Sequence, residues 1–252
     1  MQQPFVGLYA TYYDVLFPLD ETELNFYCHW ARHAQGPVLE IGCGTGNMLC
    51  ALARNGFEVH GLDCSKPMLD LAARKAHESG LSLQLHHQAL EALALPHTFS
   101  MISVSSCSFM FLTDYVQAQQ TLTRLYDHMS LGGYLLISSF LPYQEMMSGV
   151  SGRQCIHDIT LDDQSQLTVY QTVTYDSVHH TRTCVLDFEL WCSGTIHQQE
   201  QHAFLYRWYG VEELMTMIKA AGFCDVAAYG DYQTLPLAAD AETVIVVARK
   251  PL

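Results

Sequence analysis

Basic residues are scarce in this sequence. Twelve Lys and Arg stand against 26 Asp and Glu, which gives a formal net charge of −14, and the basic residues form no run. A polyanion such as DNA or RNA is repelled by a field of this sign, and so is an anionic membrane surface. The composition therefore predicts no nucleic-acid partner and no membrane partner.

Long apolar runs and cysteine pairs are also absent. No uninterrupted apolar stretch reaches the ~20 residues of a membrane-spanning helix. The first residues, Met1–Pro4, lack the positive flank and apolar stretch of a secretory signal, so a cytoplasmic location is expected. The nine cysteines include no C-x-x-C pair, and their odd number does not fit a complete disulfide framework. Without clustered Cys and His, no metal site is predicted.

What the sequence does contain, from residue 37 to 140, is an alternation of two patterns. Short β-rich apolar runs occur at residues 38–41, 58–63, 83–87, 101–104 and 134–140. Apolar residues at helical spacing lie between them, at 47–55, 67–79 and 115–129. Strands alternating with helices are typical of βαβ units, which build a parallel sheet with helices on both faces. The fold class predicted for this region is α/β.

A different pattern follows. Residues 168–175, 184–191 and 197–208 are rich in β-branched and aromatic residues that alternate along the chain, which indicates antiparallel strands. A helix at 211–221 and strands at 226–229 and 243–248 then resume the first pattern. Residues 1–140 and 208–252 are thus predicted as one α/β domain, and 141–207 as an antiparallel β insertion. Exposed strand edges in the insertion invite pairing, so a homodimer is also expected.

The most informative segment runs from Val38 to Asn47 and reads VLEIGCGTGN. An apolar strand leads into three glycines spaced G-x-G-x-G, and a helix begins directly afterwards. Glycine permits a sharp turn and lets a ligand approach the backbone, while the helix N-terminus favours a carboxylate. Asp63 ends the next strand, where an acid accepts hydrogen bonds from both ribose hydroxyls of a nucleoside. Met68 is predicted to lie against the adenine.

The spacing also distinguishes between cofactors. Dinucleotide sites use G-x-G-x-x-G to make room for a pyrophosphate, whereas here the third glycine comes one position sooner. Glu40 lies within the strand just before the loop and suits a cationic headgroup better than a pyrophosphate. An NAD-linked oxidoreductase is therefore disfavoured.

These residues resemble the class I S-adenosylmethionine (SAM)-dependent methyltransferases. The resemblance rests on EIGCGTG at 40–46, on GLDCS followed by Met68 and Leu69, on the Tyr13-Asp14 pair, on LGGYLLI at 131–137 and on the segment 207–223. It implies a Rossmann-like seven-stranded sheet with helices on both faces, in which the antiparallel insertion forms a lid over the substrate.

The resemblance further implies SAM as cofactor and S-adenosylhomocysteine as product. The glycine loop would pack under the methionine part, Asp63 would hold the ribose, and Cys64 and Met68 would flank the adenine. The family's usual acid after the third strand is replaced by Ala89, so Gln88 or backbone groups would substitute for it. The implied cofactor-binding residues are Tyr13, Glu40, Gly42, Cys43, Gly44, Gly46, Asn47, Asp63, Cys64, Met68, Gln88, Ala89, Leu90, Ser105 and Ser106.

The identity of the methyl acceptor is harder to infer from the sequence. Methyl transfer from a sulfonium depends on alignment and desolvation of the acceptor more than on any particular side chain. The Asn/Asp-Pro-Pro-aromatic turn of the nucleic-acid enzymes is replaced by SSCSF at 105–109. The insertion resembles the lids of sugar-amine and natural-product N-methyltransferases, so a small-molecule acceptor, methylated at nitrogen, is predicted. His202 and Tyr206, which share a strand face, are the predicted catalytic pair. Phe109, Tyr170 and Trp208 are predicted to bind the substrate.

Two other interpretations stay open at this point. A protein- or peptide-directed methyltransferase would have an open acidic groove in place of a closed lid. A SAM-binding subunit without its own activity would retain the same glycines and Asp63, because binding residues do not prove turnover.

Overall fold

The computed structural model describes residues 5–149, 152–235 and 237–252. Residues 1–4, on which the signal-peptide prediction depends, lie outside these ranges. The helices are α1 (Gly7–Thr11), α2 (Tyr13–Leu16), α3 (Glu21–Ala34), α4 (Asn47–Arg54), α5 (Lys66–Glu78), α6 (Tyr115–Asp127), α7 (Tyr143–Met147) and α8 (Val211–Ala220). The strands are β1 (Val38–Ile41), β2 (Val59–Asp63), β3 (Gln84–His87), β4 (Phe99–Val104), β5 (Met129–Phe140), β6 (Gln154–Thr160), β7 (Gln166–Asp176), β8 (Thr181–Cys192), β9 (Thr195–Arg207), β10 (Cys224–Gly230) and β11 (Thr243–Arg249).

Seven strands form one mixed sheet in the order β10-β11-β5-β4-β1-β2-β3. Strands β1 to β5 are mutually parallel, and β11 runs antiparallel to both of its neighbours, β5 and β10. The strand order reverses at β1, which lies between β2 and β4. Ligands of open α/β sheets bind at such a switch point, beyond the carboxyl ends of the strands. The predicted α/β fold with a Rossmann-like seven-stranded sheet is confirmed.

Helices cover both faces of this sheet because the central strands are apolar on both sides. In β1, Leu39 and Ile41 point to the face covered by α6 and α8, whereas Val38 points to the face covered by α3 and α4. All three side chains are essentially inaccessible to solvent. Glu40 shares the face of Val38, since side chains alternate along a strand. A carboxylate is thereby buried in the middle of the sheet.

The remaining four strands form a separate antiparallel sheet in the order β6-β7-β8-β9. One face packs its apolar residues, among them Val169 and Phe188, against Leu8 and Tyr9 of α1. The backbone N–H of Leu8 also donates to the Glu200 carboxylate of β9, at 2.7 Å. The N-terminal helices therefore lie between this sheet and the rest of the molecule. The predicted homodimer stays a prediction.

Helix α3 and strand β6 are among the elements that were not predicted from the sequence. Helix α3 begins after Asp20, whose carboxylate accepts from the backbone N–H groups of Thr22 and Glu23. This capping signal is present in the sequence, but the helix mixes aromatic, histidine and charged residues, so its apolar spacing is weak. Strand β6 carries few buried residues and lies at a sheet edge, which leaves little hydrophobic alternation to detect. In the described residues, no helix is long and apolar enough to cross a bilayer.

Strand β5 begins at Met129, five residues before the predicted start, because the glycine pair at 132 and 133 continues the strand. A Cβ at Gly133 would lie 2.7 Å from Met129 Sδ, 2.9 Å from the Ser100 carbonyl oxygen and 3.0 Å from the Ser130 carbonyl oxygen. Two of these three neighbours are backbone atoms, which cannot move aside cheaply.

Replacing Gly133 with Ala should therefore destabilise the fold. We expect a loss of roughly 1–3 kcal/mol from overpacking, visible as a fall of several degrees in Tm. The matched control is Gly210→Ala, where the added Cβ meets nothing within 4 Å. Equal unfolding curves for the two variants would contradict this account of the β4–β5 contact.

Candidate active site

The loop after β1 turns on three glycines with left-handed backbones. Their φ angles are +75° at Gly42, +52° at Gly44 and +76° at Gly46. A Cβ at Gly46 would lie 2.9 Å from Ala72 Cβ, and one at Gly42 would meet the Ser108 hydroxyl. Glycine is thus needed both for the backbone conformation and for the close approach of α5 and of the chain after β4.

Asp63, the last residue of β2, fixes this loop. Its carboxylate accepts from the backbone N–H of Gly44 at 2.8 Å and from that of Ser65 at 2.7 Å. The residue is only 8% exposed. Burial raises the pKa of Asp63, while the backbone hydrogen bonds act in the opposite direction. A carboxylate oriented in this way by two segments is a preorganised acceptor for further hydroxyl groups.

Glu40 is the most deeply buried acid near the loop, at 3% exposure. The Ser105 hydroxyl donates to Glu40 Oε1 at 2.8 Å, whereas the fully buried Oε2 atom has no hydrogen-bond partner. Burial raises the pKa of Glu40 to about 8, against the lowering effect of Ser105 and with a raising contribution from Glu23. Because buried polar atoms are normally satisfied, the free Oε2 marks a place for a donor.

Asp14 joins the N-terminal helices to the glycine loop. Its Oδ1 atom accepts from Thr45 Oγ1 at 2.5 Å and from Asn47 Nδ2 at 2.9 Å. Lys75 of α5 lies 2.6 Å from Asp14 Oδ2, and its ammonium also donates to Asn47. The sequence drew attention to Tyr13-Asp14 as a pair, but the contact between Asp14 and the loop spans about thirty residues of chain and has no local signature.

The loop after β4 is strained. Ser106 and Cys107 both have left-handed backbones, with φ of +50° and +58°, although neither is glycine. Such residues are uncommon and concentrate at functional sites, where the surrounding structure holds them in place. The Cys107 N–H donates to the Ser138 hydroxyl at 3.2 Å, which ties the loop to β5. Burial raises the pKa of the Cys107 thiol to about 12, so it stays protonated and is a poor nucleophile.

A cavity of about 480 Å³ opens beyond the carboxyl ends of β1, β2 and β4. A smaller cavity of about 110 Å³ lies beside it and shares Tyr13, Gly42 and Ser106 with it. Ten of the predicted cofactor-binding residues line the large cavity: Tyr13, Gly42, Gly44, Asp63, Cys64, Met68, Gln88, Ala89, Leu90 and Ser106. Glu40, Cys43 and Asn47 line the small one. Gly46 and Ser105 lie behind these walls, where Gly46 packs on Ala72 and Ser105 binds Glu40.

The adenine end differs from the prediction for Gln88. The side-chain amide of Gln88 accepts from the Ala94 N–H at 3.1 Å and donates to the Ala94 carbonyl at 3.3 Å, so it is already engaged. Glu91, two residues after Ala89, lines the large cavity instead. Glu91 is thus a carboxylate two residues beyond Ala89, the position at which the family's usual acid is replaced.

The predicted acceptor-side residues separate into two groups. Tyr206 lines the large cavity, and its ring lies 4.6 Å from that of Phe111, which lines it too. Burial raises the pKa of Tyr206, so the phenol is neutral. His202 shares the face of Tyr206, but it lies against Tyr9, with ring centroids 5.6 Å apart, and does not appear among the described residues that line the cavity. The catalytic role of His202 therefore stays a prediction, without a place in the cavity wall to support it.

The three predicted substrate-binding residues also lie outside the cavity. Phe109 is 1% exposed and packs on Tyr209 in the core, so the cavity wall is formed by Phe111. The Arg153 guanidinium covers the Tyr170 ring at 3.3 Å. Trp208 is buried beside His180, with ring centroids 5.4 Å apart. In each case the aromatic side chain packs against other residues of the protein. The alternating pattern of a strand is the same for such a residue as for one that contacts a ligand.

Sequence reasoning missed Phe5 and Tyr9 as wall residues. A signal was present, since Phe5, Tyr9 and Tyr13 follow one another at intervals of four. Phe5 precedes α1, Tyr9 lies in α1 and Tyr13 begins α2, so the three rings come from successive segments. All three line the cavity.

Comparison with known proteins agrees with this geometry. A family model described as a methyltransferase domain matches residues 38–133, from β1 through the glycine pair of β5. The whole chain also superposes on a SAM-dependent methyltransferase from Clostridium acetobutylicum ATCC 824, with a TM-score of 0.81, 18% identity and coverage of 97% of this chain and 98% of that one. Residues 38–133 therefore form a methyltransferase domain, and the chain has the fold of the SAM-dependent methyltransferases.

Two further similarities extend over most of this methyltransferase. A Geobacillus sp. (strain WCH70) protein assigned as a methyltransferase, GWCH70_2453, is 25% identical over 224 residues, which are 88% of this chain and 87% of that protein. The sugar N-methyltransferase KedS8 from Streptoalloteichus sp ATCC 53650 has the same fold, with a TM-score of 0.78, 14% identity and coverage of 100% of this chain and 96% of that one. The chain is accordingly an enzyme, and its cofactor is SAM.

The residues present fit SAM. Asp63 offers carboxylate oxygens beside the loop for ribose hydroxyls, and the glycine loop leaves a cradle that side chains would fill. The unpartnered Glu40 Oε2 offers an acceptor for an ammonium group, and the N-terminus of α4 favours a carboxylate.

Asp63→Asn should weaken SAM binding by about 10- to 100-fold, since hydrogen bonds to a charged group contribute roughly 1.5–3 kcal/mol. Calorimetric titration with SAM measures the effect. Asp70→Asn on α5 is the matched control, because Asp70 is exposed and pairs only with Lys66 at the surface. Wild-type affinity in the Asp63 variant would contradict the assignment.

Proposed function

We propose that this enzyme transfers the SAM methyl group directly to an amine nitrogen of a small molecule. The observation that supports it most strongly is the chemistry of the cavity walls. The described residues that line the two cavities include no Lys, Arg or His. Five aromatic rings contribute to the large cavity instead, those of Phe5, Tyr9, Tyr13, Phe111 and Tyr206.

Walls of this kind favour a nitrogen acceptor over an anionic oxygen. SAM supplies an activated methyl on a cationic sulfur, and in the transfer that positive charge passes to the acceptor. A methylated amine keeps the charge as an ammonium, which aromatic faces stabilise by cation–π attraction. A carboxylate or phenolate acceptor would instead be favoured by a wall that carries a cation to bind the anion or a base to form it. Tyr13, whose pKa burial raises to about 12, is a neutral phenol and can orient an amine lone pair by hydrogen bonding.

The size of the cavity favours a compact acceptor. Its walls come from the carboxyl ends of the central sheet, from the N-terminal helices and from Tyr206 of β9. The volume of about 480 Å³ lies within the usual range of ~300–1,000 Å³ for small-molecule pockets and must hold SAM as well, so the room left for the acceptor is small. The net charge of −14 also disfavours polyanionic acceptors. KedS8, which shares the fold, is named as a sugar N-methyltransferase, in agreement with an amine acceptor.

The proposal is tested with methyl-labelled SAM and a size-fractionated cell extract. We expect label in the small-molecule fraction, in a product whose new methyl is bonded to nitrogen by NMR, and loss of labelling with Asp63→Ala. Label in a protein or peptide fraction would support the peptide-directed alternative. Label on oxygen would contradict the nitrogen assignment.

Phe111 should contribute to acceptor binding. We expect Phe111→Leu to raise the KM for the labelled acceptor roughly 3- to 10-fold, since an aromatic contact contributes about 0.5–1.5 kcal/mol beyond its area. The SAM dissociation constant should change less than about twofold in the same measurement. Tyr170→Leu is the control, because Arg153 covers that ring away from the cavity. An unchanged KM would remove Phe111 from the acceptor site.

A further inference from the structure

The small cavity beside the glycine loop contains two carboxylates from distant parts of the chain. Glu40 reaches it from β1, and Glu23 reaches it from α3. The cavity has a volume of about 110 Å³, and Asn47 at the start of α4 lines its other side. Glu23 belongs to no motif recognised in the sequence and lies in a helix that the sequence did not reveal.

No cation among the described lining residues balances these two acids. Lys75, which lies beyond the loop, is engaged by Asp14 and Asn47. Two buried polar atoms in this region have no partner: Glu40 Oε2 and the hydroxyl of Tyr27, a residue that is fully inaccessible. A buried carboxylate that lacks a counter-charge is costly, so the site is incomplete without a cationic donor.

Glu23 is half-buried on a helix whose start is held in place. The Asp20 cap holds the start of α3. Tyr232, which follows β10, lowers the pKa of the Glu23 carboxyl, although burial raises it overall. The second carboxylate therefore lines the cavity from a capped helix and is not a fully exposed side chain.

We propose that Glu23 and Glu40 together form the binding site for the α-ammonium of SAM, and that a proton held by this pair in the free enzyme is displaced when the ammonium binds. The inference rests on SAM as the cofactor and is independent of which acceptor the enzyme methylates.

The proton balance is simple. In the free enzyme one proton resides on the carboxylate pair, because the buried Glu40 and the half-buried Glu23 line one small cavity and cannot both ionise at low cost. When SAM binds, that O–H bond breaks and the proton passes to solvent, while the ammonium N–H groups donate to both carboxylates. No electron is transferred, and no further reactant is needed.

The electrostatics of the surroundings support this exchange. Burial raises the pKa of Glu40 to about 8, a value to which the charge of Glu23 contributes. Burial also raises the pKa of Glu23, with a lowering contribution from Tyr232 and a raising one from Asp20. The other titratable groups that face the pair are carboxyl, phenol or thiol groups: Tyr13, Tyr27, Cys43, Cys50, Asp63, Cys107 and Tyr232. None of them supplies the missing positive charge.

The site should also discriminate between cofactors. A nucleotide with phosphate groups would bring negative charge toward two carboxylates, whereas the amino-acid head of SAM carries an ammonium group that attracts them. Glu23 therefore adds to the discrimination that the glycine spacing already favours.

The test is calorimetric titration at pH 6.5, where a free α-amino group is protonated. Titrations in buffers of different ionisation enthalpy give the number of protons released per ligand bound. We expect the wild-type enzyme to release about one proton on binding SAM. At pH 6.5 nearly every molecule of the free enzyme holds one proton on the carboxylate pair. In Glu40→Gln the release should fall by at least half, because Glu40 is the more deeply buried of the two acids.

The same titrations measure affinity for three ligands. Glu23→Gln should weaken SAM and S-adenosylhomocysteine by a similar factor, about tenfold, because both carry the ammonium. Methylthioadenosine, which lacks the amino-acid head, should bind this variant as it binds the wild type. Glu21→Gln is the control, since Glu21 is an exposed acid on the same helix.

Three results would overturn the proposal: no proton release by the wild type, wild-type SAM affinity in Glu23→Gln, or an equal loss for methylthioadenosine. No acceptor is present in these titrations. A result that overturns the ammonium site therefore does not bear on the proposed amine acceptor. Thermal unfolding of each variant confirms that the compared proteins are folded.

Discussion

The carboxylate of Asp63 accepts hydrogen bonds from the backbone of both loops that surround the cofactor site. One comes from Gly44 in the loop after β1 and the other from Ser65 at the start of α5. The buried charge is tolerable only because these donors face it. The glycine loop, the direction of α5 and the mouth of the cavity therefore depend on one side chain, and the loop holds its shape through contacts that also define the binding surface.

Much of the fold could be predicted because its signals are local. The strand–glycine–helix sequence around Gly42 and the acid at Asp63 lie within short windows, and the central strands are apolar throughout. The acceptor side could not be predicted in the same way. His202, Tyr170 and Trp208 have the same residue types and alternation as true wall residues, and only packing distinguishes them. His202 lies against Tyr9, while Tyr206 on the same strand face reaches the cavity.

The clearest residue that sequence reasoning missed is Glu23. Its position depends on packing between segments far apart in the chain, and it stands in no recognisable spacing. Helix α3 is stabilised by packing Phe26, Tyr27 and Ala31 against the sheet more than by a regular apolar pattern. Where tertiary contacts dominate, local propensity carries little information.

The N-terminal helices touch two surfaces that are made much later. Asp14 bonds to the loop residues Thr45 and Asn47, and Leu8 bonds to Glu200 near the end of the insertion. During synthesis these helices precede the last strand of the insertion, so their full docking surface exists only after about two hundred further residues have been added. The rings of Tyr9 and Tyr13 are therefore open to solvent until β9 is complete.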